Sequence, residues 1–74
     1  MIRFLLKDRM SEKSFTEKRR ITLDEVSRET SISKNTLSRI SSTWGYNTTT
    51  DNLDRLCKYF GCSLTDIAIY IEDE

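Results

Sequence analysis

The stretch TLDEVSRETSISKNTLSRIS, residues 22–41, holds two helix beginnings separated by a single break. Thr22 opens the first: its hydroxyl can cap the helix while Glu25, three residues on, bonds back to form a capping box, and Asp24 adds charge of the favourable sign to the first turn. Leu23, Val26 and Ser27 face inward, and the pattern has little room beyond Glu29. Thr30 to Ile32 make the connection, and Ser33 caps a second helix. Ile32 before that cap and Leu37 after it form a hydrophobic staple. Leu37 and Ile40 share one side of the new helix, which leaves Lys34, Asn35, Ser38, Arg39 and Ser42 on the rest. Two short helices joined by a tight turn are therefore predicted over residues 22–41.

Downstream, residues 43–49 read as a loop in which Gly45 is free to take positive φ. Thr49 or Thr50 caps the next helix, where Leu53, Leu56, Cys57 and Phe60 keep helical spacing until Gly61 ends it. Ser63 and Asp66 repeat the capping-box logic and open a short fifth helix carrying Leu64 and Ile67. The terminal IAIYI alternates and is β-branched, so it is strand-prone. Its natural partner is the other β-prone end, MIRF, and pairing within one chain or between two remains open at this level. Upstream, a helix is expected from about residue 4 to residue 13, with Leu5, Leu6 and Met10 as its apolar side. SFTEKRRI then reads as a polar, basic loop, or as one further turn of the helix before it, with only Phe15 and Ile21 to bury. Its triplet Lys18, Arg19, Arg20 suits solvation and phosphate contact equally.

Composition narrows the classes of function. The 74 residues are expected to form one domain, 1–74, whose core is close to the lower limit for folding without staples. Hydrophobic residues make up 36% and charged residues 32%, with no Pro, as in a charged, mostly helical chain. The formal net charge is zero but unevenly placed. Residues 1–20 carry seven basic groups against three acids, a balance of +4, while residues 51–74 hold six acids against Arg55 and Lys58, a balance of −4. One side is thus suited to anions. Cys57 and Cys62 read as buried or half-buried thiols rather than a disulfide framework, and the absence of His argues against a metal site or an enzyme. The carboxylates are scattered over helix surfaces and there is no Gly-rich phosphate loop, so no cofactor is expected. No run has the length of a membrane span and none looks like a signal peptide, which points to a cytoplasmic protein. RNA binding lacks support, because Phe4, Phe15, Tyr59, Phe60 and Tyr70 do not gather on one strand face.

Taken in order, ITLDEVSRE, TSIS, SKNTLSRI and DNLDRLCKYFGCSLTDI resemble the helix-turn-helix domain of the phage repressor and Cro family, also called the xenobiotic-response-element type. The ending LCKYFGCSLTDIAIYI is similar to a subgroup of small bacterial regulators. The resemblance implies an all-α, compact, five-helix repressor-like domain, here with two termini able to form short β-strands. It implies sequence-specific binding of double-stranded DNA by a transcriptional regulator, in the sense of a repressor, with a recognition helix at 33–41. By the family's pattern, Lys34, Asn35 and Arg39, with Ser38 as a shorter neighbour, read bases. Thr22, Ser33, Ser42, Thr43, Tyr46 and Asn47 are the phosphate candidates. Ser31 stands where the family often has Gly, and Leu23 stands where it has a phosphate-holding Gln. Arg19 and Arg20 are expected to supply the charge that Leu23 cannot.

Trp44 reads as the anchor of a small satellite core in preference to a nucleic-acid contact. Family members commonly dimerise on half-sites roughly 34 Å apart. Residues 1–4 and 67–71 are the candidate homodimer interface; the equal alternative is an intrachain sheet, in which case any dimer uses another face. A rival function keeps the fold but binds protein, as an antitoxin-like or accessory subunit. Zero net charge, the missing Gln and the acidic end Glu72, Asp73, Glu74 favour it, and salt dependence discriminates between the two.

Overall fold

Thr22, Ser33 and Thr49 each end an extended segment and start a helix, accepting the backbone N–H of Glu25, Thr36 and Asn52 at 3.3, 3.1 and 3.1 Å. Ser63, also extended, starts the last helix differently, its own N–H and hydroxyl donating to the Asp66 carboxylate at 3.2 and 3.1 Å. In the computed structural model, which describes residues 1–72, the order is β1 (Ile2–Phe4), α1 (Leu6–Glu17), α2 (Leu23–Thr30), α3 (Lys34–Ser42), α4 (Thr50–Phe60), α5 (Leu64–Ile67) and β2 (Ala68–Tyr70). Asp73 and Glu74 of the acidic end lie outside the described residues. The architecture is that of the expected five-helix domain with short terminal strands.

Leu6, Val26, Leu37, Leu56 and Ile67, one from each helix, are wholly buried, and Ile21, Ile32 and Ile40 complete the core. Leu53 and Phe60 pack on its margin, half-buried. Leu64 is 55% exposed, since a helix of only four residues has one buried position and Ile67 fills it.

The termini pair with each other inside one chain. β1 runs antiparallel to β2 with Ile2 opposite Tyr70, Arg3 opposite Ile69 and Phe4 opposite Ala68. Main-chain bonds extend this ladder at both ends: Leu5 N–H donates to the Ile67 carbonyl at 2.6 Å, and Met1 and Ile71 exchange two bonds of 2.7 Å.

That ladder corrects the expected 4–13 helix. Phe4 belongs to β1 and Leu5 is still held by the strand, so α1 begins at Leu6. At the other end α1 continues through Ser14 to Glu17, taking in half of the segment read as a loop. Lys18 then takes a left-handed conformation, φ 56°, and the Lys18 and Arg19 N–H groups close on the carbonyls of Phe15 and Ser14. A lysine in the role usually given to glycine left no breaker to read. Phe15 is 84% exposed rather than buried. Nine residues from Leu6, it lies about 180° around the helix from it.

Candidate nucleic-acid interface

The α2–α3 turn positions everything that follows. Ser31 adopts the left-handed conformation, φ 62° and ψ 23°, that favours glycine, and its N–H closes α2 on the Ser27 carbonyl at 2.9 Å. Side chains hold it there. Ser27 Oγ donates to the Ile32 carbonyl at 2.6 Å, the buried Thr30 hydroxyl donates to the Val26 carbonyl at 2.6 Å, and Ile32 N–H donates back to Thr30 Oγ1 at 3.3 Å. From α4, Arg55 reaches the Thr30 and Ser31 carbonyls at 3.5 Å. The turn is over-determined, which is how a non-glycine residue is kept in a conformation costing roughly 1 kcal/mol or more.

From that turn α3 leaves with Leu37 and Ile40 locked in the core at 0% and 1% exposure. Lys34, Asn35, Ser38, Arg39 and Ser42 are all exposed. The structure thus brings together on α3 the side chains expected to read bases. Asn35 and Arg39 have no side-chain partner among the described residues. Lys34 Nζ lies 3.0 Å from Asp24 Oδ1 on α2, but both side chains are more than half exposed, so this pair holds little energy and is readily exchanged for another anion. Ser38 is used through its carbonyl, which accepts the hydroxyls of Ser41 and Ser42 at 2.9 and 2.8 Å and trims the last turn of the helix.

The phosphate candidates divide into three groups. Thr22 and Ser33 sit at the N-termini of α2 and α3, committed as caps yet exposed; Ser33 also donates to Thr36 Oγ1 at 2.8 Å. Ser42, Thr43, Tyr46 and Asn47 follow along the end of α3 and the next loop, Tyr46 half-buried against the core and the others exposed. Arg19 and Arg20 part company. Arg20 is exposed and makes no hydrogen bond or ion pair among the described residues, whereas Arg19 is clamped, its two terminal nitrogens 2.6 and 2.7 Å from the Glu25 carboxylate and its Nε 3.0 Å from Glu17.

Glu25 therefore does not complete the capping box expected with Thr22: Thr22 caps it, but its carboxylate turns away to Arg19 and to the Tyr59 hydroxyl at 3.4 Å. A bidentate guanidinium offers two charge-assisted bonds where the Thr22 N–H offers one neutral one. The bonds from Arg19 hold Glu25 below its ordinary carboxylate range, and those from Lys13 and then Arg19 do the same for Glu17. The Arg19 guanidinium is held more firmly protonated in return.

Trp44 corrects another expectation. It anchors no satellite core: it is 57% exposed, and the Arg3 guanidinium lies over its ring at 4.9 Å from the centroid. Arg3 and Trp44 are far apart in sequence, and no local pattern signals their stacking. Cys57 and Cys62 are free, half-buried thiols at the end of α4, and burial pushes the Cys62 thiol up. Among the described residues no group of three His, Cys, Asp or Glu side chains could hold a metal ion, and no helix is long and apolar enough to cross a membrane.

Residues 13–73 match the family model of the Cro/C1-type HTH DNA-binding domain. No curated protein and no solved structure matches the chain.

Proposed function

Because the chain belongs to the Cro/C1-type helix-turn-helix DNA-binding domain family, we propose that it is a sequence-specific transcriptional regulator, acting as a repressor, with residues 33–41 as the recognition helix in the major groove. The observation that carries this reading is the exposed polar side of α3, Lys34, Asn35, Ser38 and Arg39, on a helix whose other side is immobilised by Leu37 and Ile40. Arg39 and Lys34 suit the guanine edge and Asn35 the adenine edge, each good bidentate pair discriminating by about 1–3 kcal/mol. Phosphates on either side fall to Thr22, Ser33 and the helix N-termini behind them, to Ser42, Thr43, Tyr46 and Asn47, and to Arg20. Arg19 contributes indirectly, by holding the start of α2 against the end of α1.

A single recognition helix covers too few base pairs for operator specificity, so the regulator acts as a homodimer. With β1 and β2 paired inside one chain, residues 1–4 and 67–71 do not join two copies by exchanging strands, and the interface is assigned to what that sheet leaves open, the outer edge of β2. The Met1–Ile71 and Leu5–Ile67 bonds make Arg3 and Ile69 the hydrogen-bonded pair, so the main-chain groups of Ile2 and Tyr70 point outward. On β1 that edge is already used, since the Ile2 carbonyl accepts Gly45 N–H at 2.9 Å. On β2 the Tyr70 groups have no partner among the described residues, and an edge of this kind pairs with a second strand.

The test is selection from a pool of random duplex DNA at two salt concentrations. Enrichment of a palindromic site is expected, with its half-site spacing reporting the dimer. Failure to enrich any sequence, with weak binding that vanishes at the higher salt, would replace this reading by the antitoxin-like or accessory one. The Lys34–Asp24 pair and the Arg19 clamp, which draw positive charge inward, give that alternative its footing.

A further inference from the structure

The C-terminal end of α3 meets a second basic cluster, whose cations Arg3 and Lys7 lie outside the residues 13–73 that match the family. A groove of about 280 Å³ separates Arg3, Lys7 and Asp8, from β1 and the start of α1, from Ser41, Ser42 and Trp44 at the end of α3. Its two sides are held as one unit. Gly45, at φ +75°, donates its N–H to the Ile2 carbonyl at 2.9 Å, which brings Trp44 beside β1 and under the Arg3 guanidinium. The Arg3 guanidinium, held over the Trp44 ring, has no hydrogen-bond or ion-pair partner among the described residues, so the N–H groups that grip an oxyanion are unclaimed. Lys7 is exposed and likewise unpaired there. Asp8 is the one carboxylate in the lining, so the groove keeps a net positive charge.

Position says which anion this is. Asn35, Arg39 and Ser42, spaced by four and three, fall on one stripe of α3. The nine residues of α3 span about 13 Å, close to the major groove's width of about 12 Å. With the Lys34 and Asn35 end on base edges, the Ser42 end stands at the groove rim, where phosphates run, and the Arg3–Lys7 cluster lies directly beyond it.

We propose that Arg3 and Lys7 bind DNA backbone phosphates at the rim of the major groove, with Trp44 as the residue that positions Arg3. The interface thereby extends from the helix-turn-helix unit onto the N-terminal strand and α1. This rests on the DNA-binding reading above. Its contacts carry no base information, so they set register and orientation on the duplex.

The test measures the salt dependence of binding to a mixed-sequence duplex for the full chain and four variants. Lys7→Ala, which places a good helix former at an exposed helical position, is expected to make the slope of log K against log salt shallower by about 0.9, and Arg3→Ala with Lys7→Ala by about 1.8. Trp44→Ala is expected to lose part of the Arg3 contribution, and Trp44→Phe to restore it, which a merely structural defect would not do. Trp44 is the sole tryptophan, so its emission should also change when wild-type protein binds duplex. Unchanged slopes in Lys7→Ala and in the double variant, with wild-type binding intact, would overturn this site and leave the DNA reading standing. Absence of duplex binding by the wild type at low salt would remove both.

Discussion

At the scale of single residues, two positions carry most of the consequence. Ser31 occupies a left-handed conformation that only the surrounding bonds enforce. Its side chain has no hydrogen bond among the described residues, so nothing is lost by removing it. Ser31→Gly is expected to stabilise the chain by about 0.5–1 kcal/mol, read as a higher urea midpoint at unchanged slope, because glycine reaches this conformation without the Cβ penalty. A β-branched residue there should do the reverse. Arg39 is the counterpart in the proposed function. Arg39→Ala is expected to weaken binding to the selected operator by about 1–3 kcal/mol while leaving non-specific binding nearly unchanged. Equal losses on every sequence would count against a base-reading role.

Among elements, the junction between α1 and α2 is clamped by ion pairs. Arg19 bridges Glu17 at the end of α1 and Glu25 in the first turn of α2, and Lys13 reaches Glu17 at 2.6 Å from one turn earlier. Both carboxyls titrate below their ordinary value of 4.5 in the folded chain. Between that value and the depressed folded ones the unfolded chain binds more protons, so this stabilisation is complete above the ordinary carboxylate range and is lost as pH falls through the folded values. Wild-type protein should therefore melt above Arg19→Ala at neutral pH, with the difference closing on acidification and shrinking in high salt, since the groups are solvent-exposed. A gap that persists in acid would mean that Arg19 acts by packing its stem instead. The same junction orients α2 and, through the pinned turn, α3, so the clamp that engages Arg19 also serves the helix proposed to read DNA.

For the whole molecule, the closed β1–β2 ladder bears on the proposed dimer. Tyr70→Pro is the discriminating substitution, because the Tyr70 N–H points out of the ladder and a proline there leaves the Arg3–Ile69 bonds in place. A folded, monomeric variant with much weaker operator binding is expected by sedimentation and thermal melting. A dimer that survives the substitution would move the interface away from the β2 edge. How far sequence alone reached follows the range of the forces involved. Helix starts at Thr22, Ser33, Thr49 and Ser63, the stop at Gly61, and the division of α3 into a buried and an exposed side were legible from residues within a turn of one another, since capping and amphipathic spacing are local. The α1 boundaries, the exposure of Phe15 and Leu64, the turning of Glu25 to Arg19, and the stacking of Arg3 on Trp44 were not. The exposure of Phe15 and Leu64 follows from where each falls on its helix relative to the buried Leu6 and Ile67; the others depend on a partner brought near only when the ends of the chain meet in the sheet and the helices close on one core, so they were settled by tertiary structure, where a stronger distant bond displaces the local one.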